Sequence, residues 1–232
     1  MKKVFSLLFT IISFSISIAG TIDKVSGPGP AMDLFDNLNL GRLGMARTAY
    51  DYAMIGFAKL SETAKIKNRG IITIIDYTLP SNKKRFFVID VKNQKLLFAT
   101  YVAHGRNSGL DMVTSFSNEP ESYKSSIGFF TTKGTYAGLH GYSLRLQGLE
   151  PGFNDHAEAR EIVIHSADYV TKQVVHSQGY CGRSLGCPAL PPDVYKNVIS
   201  KIKNGSCLFI FGNDSHYFAN SKLLREKVVV EK

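Results

Sequence analysis

The hydrophobic period changes at Gly70, and this change constrains the fold more than any other feature of the chain. Before it, Leu43, Ala46, Ala49, Tyr50, Ala53, Phe57, Leu60 and Ala64 recur at steps of three and four between residues 41 and 67. That spacing lays the apolar side chains along one stripe of an α-helix, closed here by Asn68 and Gly70. After it, short runs rich in Ile, Val, Phe and Tyr occupy 71–77, 85–91 and 95–103. Pro80-Ser81-Asn82 and Lys92-Asn93-Gln94 part these runs, which read as strands joined by tight turns. Segments 127–132, 143–147, 161–164 and 207–211 continue the series, and Pro191-Pro192-Asp193 opens a helix running to about Lys203. The fold class expected is mainly β with flanking helices, preceded by a helical N-terminal segment. The helical stripe is packing surface for the β domain, not a cofactor site. Residues 105–126 form a long loop rich in Ser and Asn, the kind that usually carries function.

The N-terminus carries a different signal. Lys2 and Lys3 precede an apolar stretch over 4–18, and Ser17 and Ala19 place small residues at the spacing a signal peptidase needs. Residues 1–19 are therefore expected to be a secretory signal peptide cleaved after Ala19, too short in its apolar region for a spanning helix. The chain is expected to be exported to the periplasm or cell envelope, with no stable membrane span once cleaved. Gly27-Pro28-Gly29-Pro30 separates this leader from the folded part. The 28 Lys and Arg exceed the 19 Asp and Glu, but they are scattered among acids, with no basic-aromatic motif. A solvated surface explains them, and nucleic acid is not an expected partner.

Export gives the three cysteines their meaning, because an unpaired thiol in an oxidising compartment needs a reason to persist. Cys187 lies in Gly182-Arg183-Ser184-Leu185-Gly186-Cys187-Pro188-Ala189-Leu190-Pro191, where glycine admits a substrate and the prolines stiffen the loop. The N–H groups of Leu185, Gly186 and Cys187 are placed to converge on one oxygen as an oxyanion hole. A thiol attacks as thiolate, so Cys187 needs a base within hydrogen-bond reach. His165 is that base, because it ends the strand at 161–164 and opens towards a loop-built site. His176 is its rival, but 173–177 reads as a polar loop with nothing to aim it. His104, also at a strand's end, His140, Tyr142, Arg183 and Ser184 are the expected substrate contacts.

These residues resemble the YkuD-type L,D-transpeptidases. The resemblance is carried by Ile164-His165-Ser166-Ala167-Asp168-Tyr169-Val170 followed by Gly182-Arg183-Ser184-Leu185-Gly186-Cys187-Pro188. It extends through Tyr101-Val102-Ala103-His104-Gly105, Asn107-Ser108-Gly109, Phe116-Ser117-Asn118, Ser125-Ser126-Ile127-Gly128 and Gly141-Tyr142-Ser143-Leu144 to Gly148-Leu149-Glu150-Pro151-Gly152-Phe153-Asn154. The branch it is most similar to is named for its murein L,D-transpeptidase catalytic domain. The resemblance implies a β-sandwich-like domain, a mobile flap above the catalytic loop, and peptidoglycan stem peptides as partners. It divides the chain into signal peptide 1–19, linker and helical segment 20–69, catalytic domain 70–213 and C-terminal tail 214–232. By analogy Cys187 forms an acyl-enzyme with a tetrapeptide stem, expelling D-Ala, and an amine acceptor on a stem peptide or a protein resolves it. Many members place His or Asn before the Gly-Cys and Arg soon after it, whereas this chain has Leu185, Pro188 and Ala189. Arg183 is then the candidate anion anchor. Hydrolysis by the same Cys and His, or a non-catalytic peptidoglycan-binding role, are the alternatives.

No cofactor is expected. A zinc site from Cys181, Cys187, His165 and His176 matches no common ligand spacing. Cys181 and Cys207 are expected either to pair as a disulfide or to stay apart, Cys207 in the core and Cys181 partly exposed. The group that orients His165 is left between Asp168 and a backbone carbonyl.

Overall fold

The computed structural model describes residues 31–225; the expected signal peptide, its cleavage site and the breaker at 27–30 lie outside the described residues. The elements in chain order are α1 (Ala31–Asn37), a 3-10 turn (Leu40–Leu43), α2 (Arg47–Ser61), β1 (Asn68–Asp76), β2 (Phe86–Asp90) and β3 (Lys95–Thr100). There follow β4 (Gly128–Gly138), β5 (Gly141–Gly148), β6 (Val163–Ser166), α3 (Lys172–Gln178), β7 (Ala189–Leu190), α4 (Tyr195–Ile202), β8 (Ser206–Phe211) and α5 (Ser215–Asn220). The protein is mainly β with flanking helices, as its sequence indicates.

The strands form one sheet in the order β3-β2-β1-β8-β4-β5-β6-β7. Two neighbouring pairs, β1 with β8 and β6 with β7, run parallel, and the others antiparallel. Every residue of the central β8 is buried, which explains its unbroken apolar sequence. Alternation along it separates two cores. Cys207, Phe209 and Phe211 face α1, α2 and α5, while Leu208 and Ile210 face α4 together with residues of β5, β6 and β7.

The stripe at 41–67 divides into the 3-10 turn and α2 because Gly44, at φ 97°, turns the backbone left-handed between them. The helix then seats closely on the sheet: a Cβ at Gly56 would stand 2.0 Å from Phe129 Cζ. Two helices were not anticipated. Residues 173–177 are α3 rather than a loop, capped by the Thr171 hydroxyl accepting from Val174 N–H and closed by Gly179 at φ 82°. The expected tail contains α5, whose Tyr217 is buried in the first core with Leu224, so residues 214–225 are part of the packed structure. Buried Glu150 accepts bonds from Phe129 N–H and the Tyr217 and Ser221 hydroxyls, tying α5 to β4.

Candidate active site

The pairing of β6 with β7 decides which side chains share a face. His165 lies opposite Ala189 and Ser166 opposite Leu190. Counting back two residues on both chains sets Cys187 beside Val163, and Val163 N–H indeed points at Cys187 Sγ from 3.4 Å. Strand positions two apart face the same way, roughly 6.6 Å along the strand. Cys187 and His165 accordingly line one cavity of about 720 Å³.

His165 is almost fully buried, and its Nδ1 lies 2.8 Å from the Ser166 carbonyl. A carbonyl only accepts, so Nδ1 carries the proton and Nε2 is left as the free base. The orienting group is thus this carbonyl; Asp168 is exposed. Burial pushes the imidazole below its ordinary range, the Ser166 carbonyl counters, and His140 lowers it further. The ring is therefore neutral at pH 7, as a general base must be.

Cys187 is half-buried. Its thiol lies between Val163 N–H and the Glu161 carbonyl, to which it donates at 3.5 Å. Burial raises its pKa, while the Val163 N–H and the Arg160 charge pull it back. Among the described residues no hydrogen bond joins Cys187 to His165. The expected contact is not made, because Sγ is turned to the start of β6 instead of along the cavity. Catalytic hydrogen bonds of this kind often tighten only when substrate is present.

The turn that carries Cys187 is built by Ser184. Its hydroxyl accepts from Gly186 N–H at 3.1 Å and donates to the Cys187 carbonyl at 2.6 Å. Gly186 has φ 130°, and a Cβ there would lie 2.9 Å from both Ile162 Cδ1 and the Lys124 carbonyl. Two expectations change as a result. The Gly186 N–H is consumed by Ser184 and does not serve an oxyanion hole, whereas those of Leu185 and Cys187 make no hydrogen bond among the described residues. Ser184, although it borders the cavity, is buried, and its hydroxyl holds the turn instead of a substrate.

The remaining expected contacts divide. His140, at the turn between β4 and β5, stacks on His165 with centroids 4.3 Å apart and lines the cavity. Arg183 lines it too, exposed, with Nη1 donating to the Arg106 carbonyl at 3.2 Å. Tyr142 is outside the lining and packs against the second core. His104 is fully buried: its Nδ1 accepts from Arg85 Nη2 at 2.7 Å and its Nε2 donates to the Gly109 carbonyl at 3.2 Å. Burial and the Arg85 cation push its pKa to about 4, so it is a neutral structural residue and not a substrate contact. His176 is exposed on α3 and is not in the lining.

Sequence reasoning missed Arg160 and Tyr169, which also line the cavity. Cys181 and Cys207 are both free and buried; Cys181 is not partly exposed, since its N–H and thiol are bound to Ser81. Among the described residues no group of three or more His, Cys, Asp or Glu is placed to hold a metal ion. Nor is any helix among them long and apolar enough to cross a membrane.

Residues 42–211 match the model of the family described as "L,D-transpeptidase catalytic domain". No curated protein matches the chain. Similar solved structures include an L,D-transpeptidase from Mycobacterium smegmatis, 16% identical at a TM-score of 0.38, covering 62% of this chain and 59% of that one. An L,D-transpeptidase from Stackebrandtia nassauensis is 16% identical at a TM-score of 0.37, covering 80% of this chain and 77% of that one. A helical cell shape determining protein from Campylobacter jejuni is 11% identical at a TM-score of 0.42, covering 69% and 54%. The match to the Mycobacterium smegmatis protein spans 59% of that protein's length.

Proposed function

The chain belongs to the L,D-transpeptidase catalytic domain family, and from that premise we propose that it is an exported enzyme that cuts and rejoins peptidoglycan stem peptides through Cys187. One observation supports this reading above the others. Cys187 and His165 face the same cavity, and the His165 Nδ1 proton is tied to the Ser166 carbonyl, leaving Nε2 free to take a proton.

The reaction begins when the Cys187 side chain rotates from the start of β6 towards His165 Nε2, which accepts the thiol proton. The thiolate attacks the carbonyl carbon that links the third residue of a tetrapeptide stem to its terminal D-Ala. The N–H groups of Leu185 and Cys187 receive the oxyanion, the role that costs least when donors are fixed beforehand. As the intermediate collapses, His165 returns its proton to the departing D-Ala amine and a thioester remains. An acceptor amine then attacks the thioester, gives its proton to His165 and releases Cys187 as thiol. The exposed Arg183 guanidinium at the cavity edge anchors a carboxylate of the donor stem. No cofactor enters these steps.

Export follows the N-terminal sequence, with processing after Ala19 and residence in the periplasm or cell envelope. Incubation of the purified enzyme with disaccharide-tetrapeptides, followed by mass spectrometry, tests the reading. Crosslinked dimers lacking one D-Ala are expected, and a C187A variant should yield none. Trimmed monomers alone would assign hydrolysis, and no product from either protein would leave only a binding role.

A further inference from the structure

Arg160 lies five residues before His165, in a segment with no motif of its own. Its guanidinium makes four bonds to one loop. Nη1 donates to the Ser117 carbonyl at 2.6 Å and Ser126 Oγ at 2.8 Å; Nη2 donates to Ser122 Oγ at 3.1 Å and the Lys124 carbonyl at 2.7 Å. All four acceptors are neutral, so the positive charge is held in place without being cancelled. Glu119 acts on it without forming an ion pair. Arg160 Nη2 lies 3.5 Å from the point a Cβ at Gly186 would occupy, one residue from Cys187, and Arg160 lines the same cavity as the thiol.

The other groups around Cys187 do not take this part. Glu161 opposes the thiolate. Tyr77 and Tyr169 are held neutral by burial, each pushed up to about 12. His165 is held neutral by burial, and His140 stacks on it. Of the remaining charges in the lining, Arg145 lies over the Tyr136 ring at 4.2 Å, and Arg183 and Glu158 are exposed.

We propose that Arg160 is a positioning residue for the nucleophile: its fixed charge, with the Val163 N–H, stabilises the Cys187 thiolate as His165 removes the proton. The inference rests on Cys187 being the nucleophile. It also gives the 117–126 loop a task, because that loop holds the guanidinium in place.

The test is the pH dependence of Cys187 alkylation by iodoacetamide, read by peptide mapping so that the buried Cys181 and Cys207 do not contribute. For R160Q the midpoint is expected to rise, with alkylation at neutral pH slowed about 3- to 10-fold, since one pH unit is tenfold in thiolate at fixed pH. R160K keeps the charge and should stay within about threefold of wild type on the same scale. The S122A/S126A double variant removes two of the four bonds but keeps the cation, and should shift the midpoint by clearly less than R160Q does. An R160Q profile that superimposes on wild type overturns the proposal, as does an S122A/S126A shift as large as that of R160Q. If R160Q does not fold, R160K decides alone: a loss of about tenfold overturns the charge assignment, and a near wild-type profile supports it. Alkylation needs no stem peptide, so the two readings fail separately. An R160Q shift in a protein that forms no transfer product sinks the transpeptidase reading and leaves this inference standing.

Discussion

Replacing Arg85 with methionine removes a charge that is completely buried and bound only to neutral groups. Its Nε and Nη2 donate to the Val102 carbonyl at 3.1 and 2.9 Å, Nη1 donates to the Leu79 carbonyl at 3.0 Å, and Nη2 reaches His104 Nδ1 at 2.7 Å. The guanidinium also lies 4.8 Å from the centre of the Tyr77 ring. Methionine fills part of the volume and donates nothing, so the buried Val102 carbonyl and His104 Nδ1 and the half-buried Leu79 carbonyl lose their partner. Each costs about 1–3 kcal/mol when left unsatisfied, and relief from burying a cation offsets part of that. A net loss of about 3 kcal/mol is expected, small enough to leave a folded protein whose urea midpoint is measurable. Activity should fall as well. The segment Arg85 supports accepts from Ser184 N–H through the His104 carbonyl and donates to the Ala189 carbonyl through Ala103 N–H, bracketing Cys187.

The same substitution changes the pH dependence. His104 is held neutral in the fold at about 4 against its ordinary 6.5, so the unfolded chain binds its proton more readily. This contribution is complete above about pH 6.5 and is lost as pH falls towards 4, some 3 kcal/mol in all. Without the Arg85 cation the window narrows, and the acid loss of stability should be shallower in R85M than in wild type. A stability loss below about 1 kcal/mol at neutral pH would refute the reasoning about unsatisfied acceptors.

Other outcomes follow from single contacts. Gly186→Ala places a side chain at φ 130° against the Lys124 carbonyl, so stability should fall by about 1–3 kcal/mol and the rate of Cys187 alkylation should change with the displaced turn; an unaltered stability and rate would contradict it. His140→Ala removes the neighbour that lowers His165, so the His165 imidazole should titrate at higher pH by NMR than in wild type; an unmoved titration would count against the stacked pair. Gly56→Ala drives a methyl into the Phe129 ring and should cost about 1–3 kcal/mol by urea denaturation, more than a helix-propensity gain returns.

The strands were legible because their signal is local: alternating or continuous apolar runs bounded by turn residues. The pairing of Cys187 and His165 in one cavity was legible for a similar reason, since a glycine-flanked cysteine and a strand-end histidine stand out in sequence. What escaped depends on distant backbone. Arg85 and Arg160 are half-buried or buried by carbonyls that the fold brings from elsewhere, and nothing beside them in sequence indicates those partners. His104 looked like His165, each ending a strand, but an arginine 19 residues earlier decides that it faces inward. The helices α3 and α5 did carry readable caps in Thr171, Gly179 and Asp214. Each is short, at 7 and 6 residues, and lacks the apolar stripe that marks a helix in sequence. The strand read at 127–132 runs on as β4 to Gly138, because Lys133 and Gly134 form an irregularity at which the register shifts and pairing resumes.

The central claim is that Cys187 is the acylated nucleophile, and a carbapenem tests it most directly. Carbapenem-treated wild-type protein should gain a single mass adduct that peptide mapping places on Cys187, and C187A should gain none. No adduct, or an adduct of equal extent on C187A, would contradict the account.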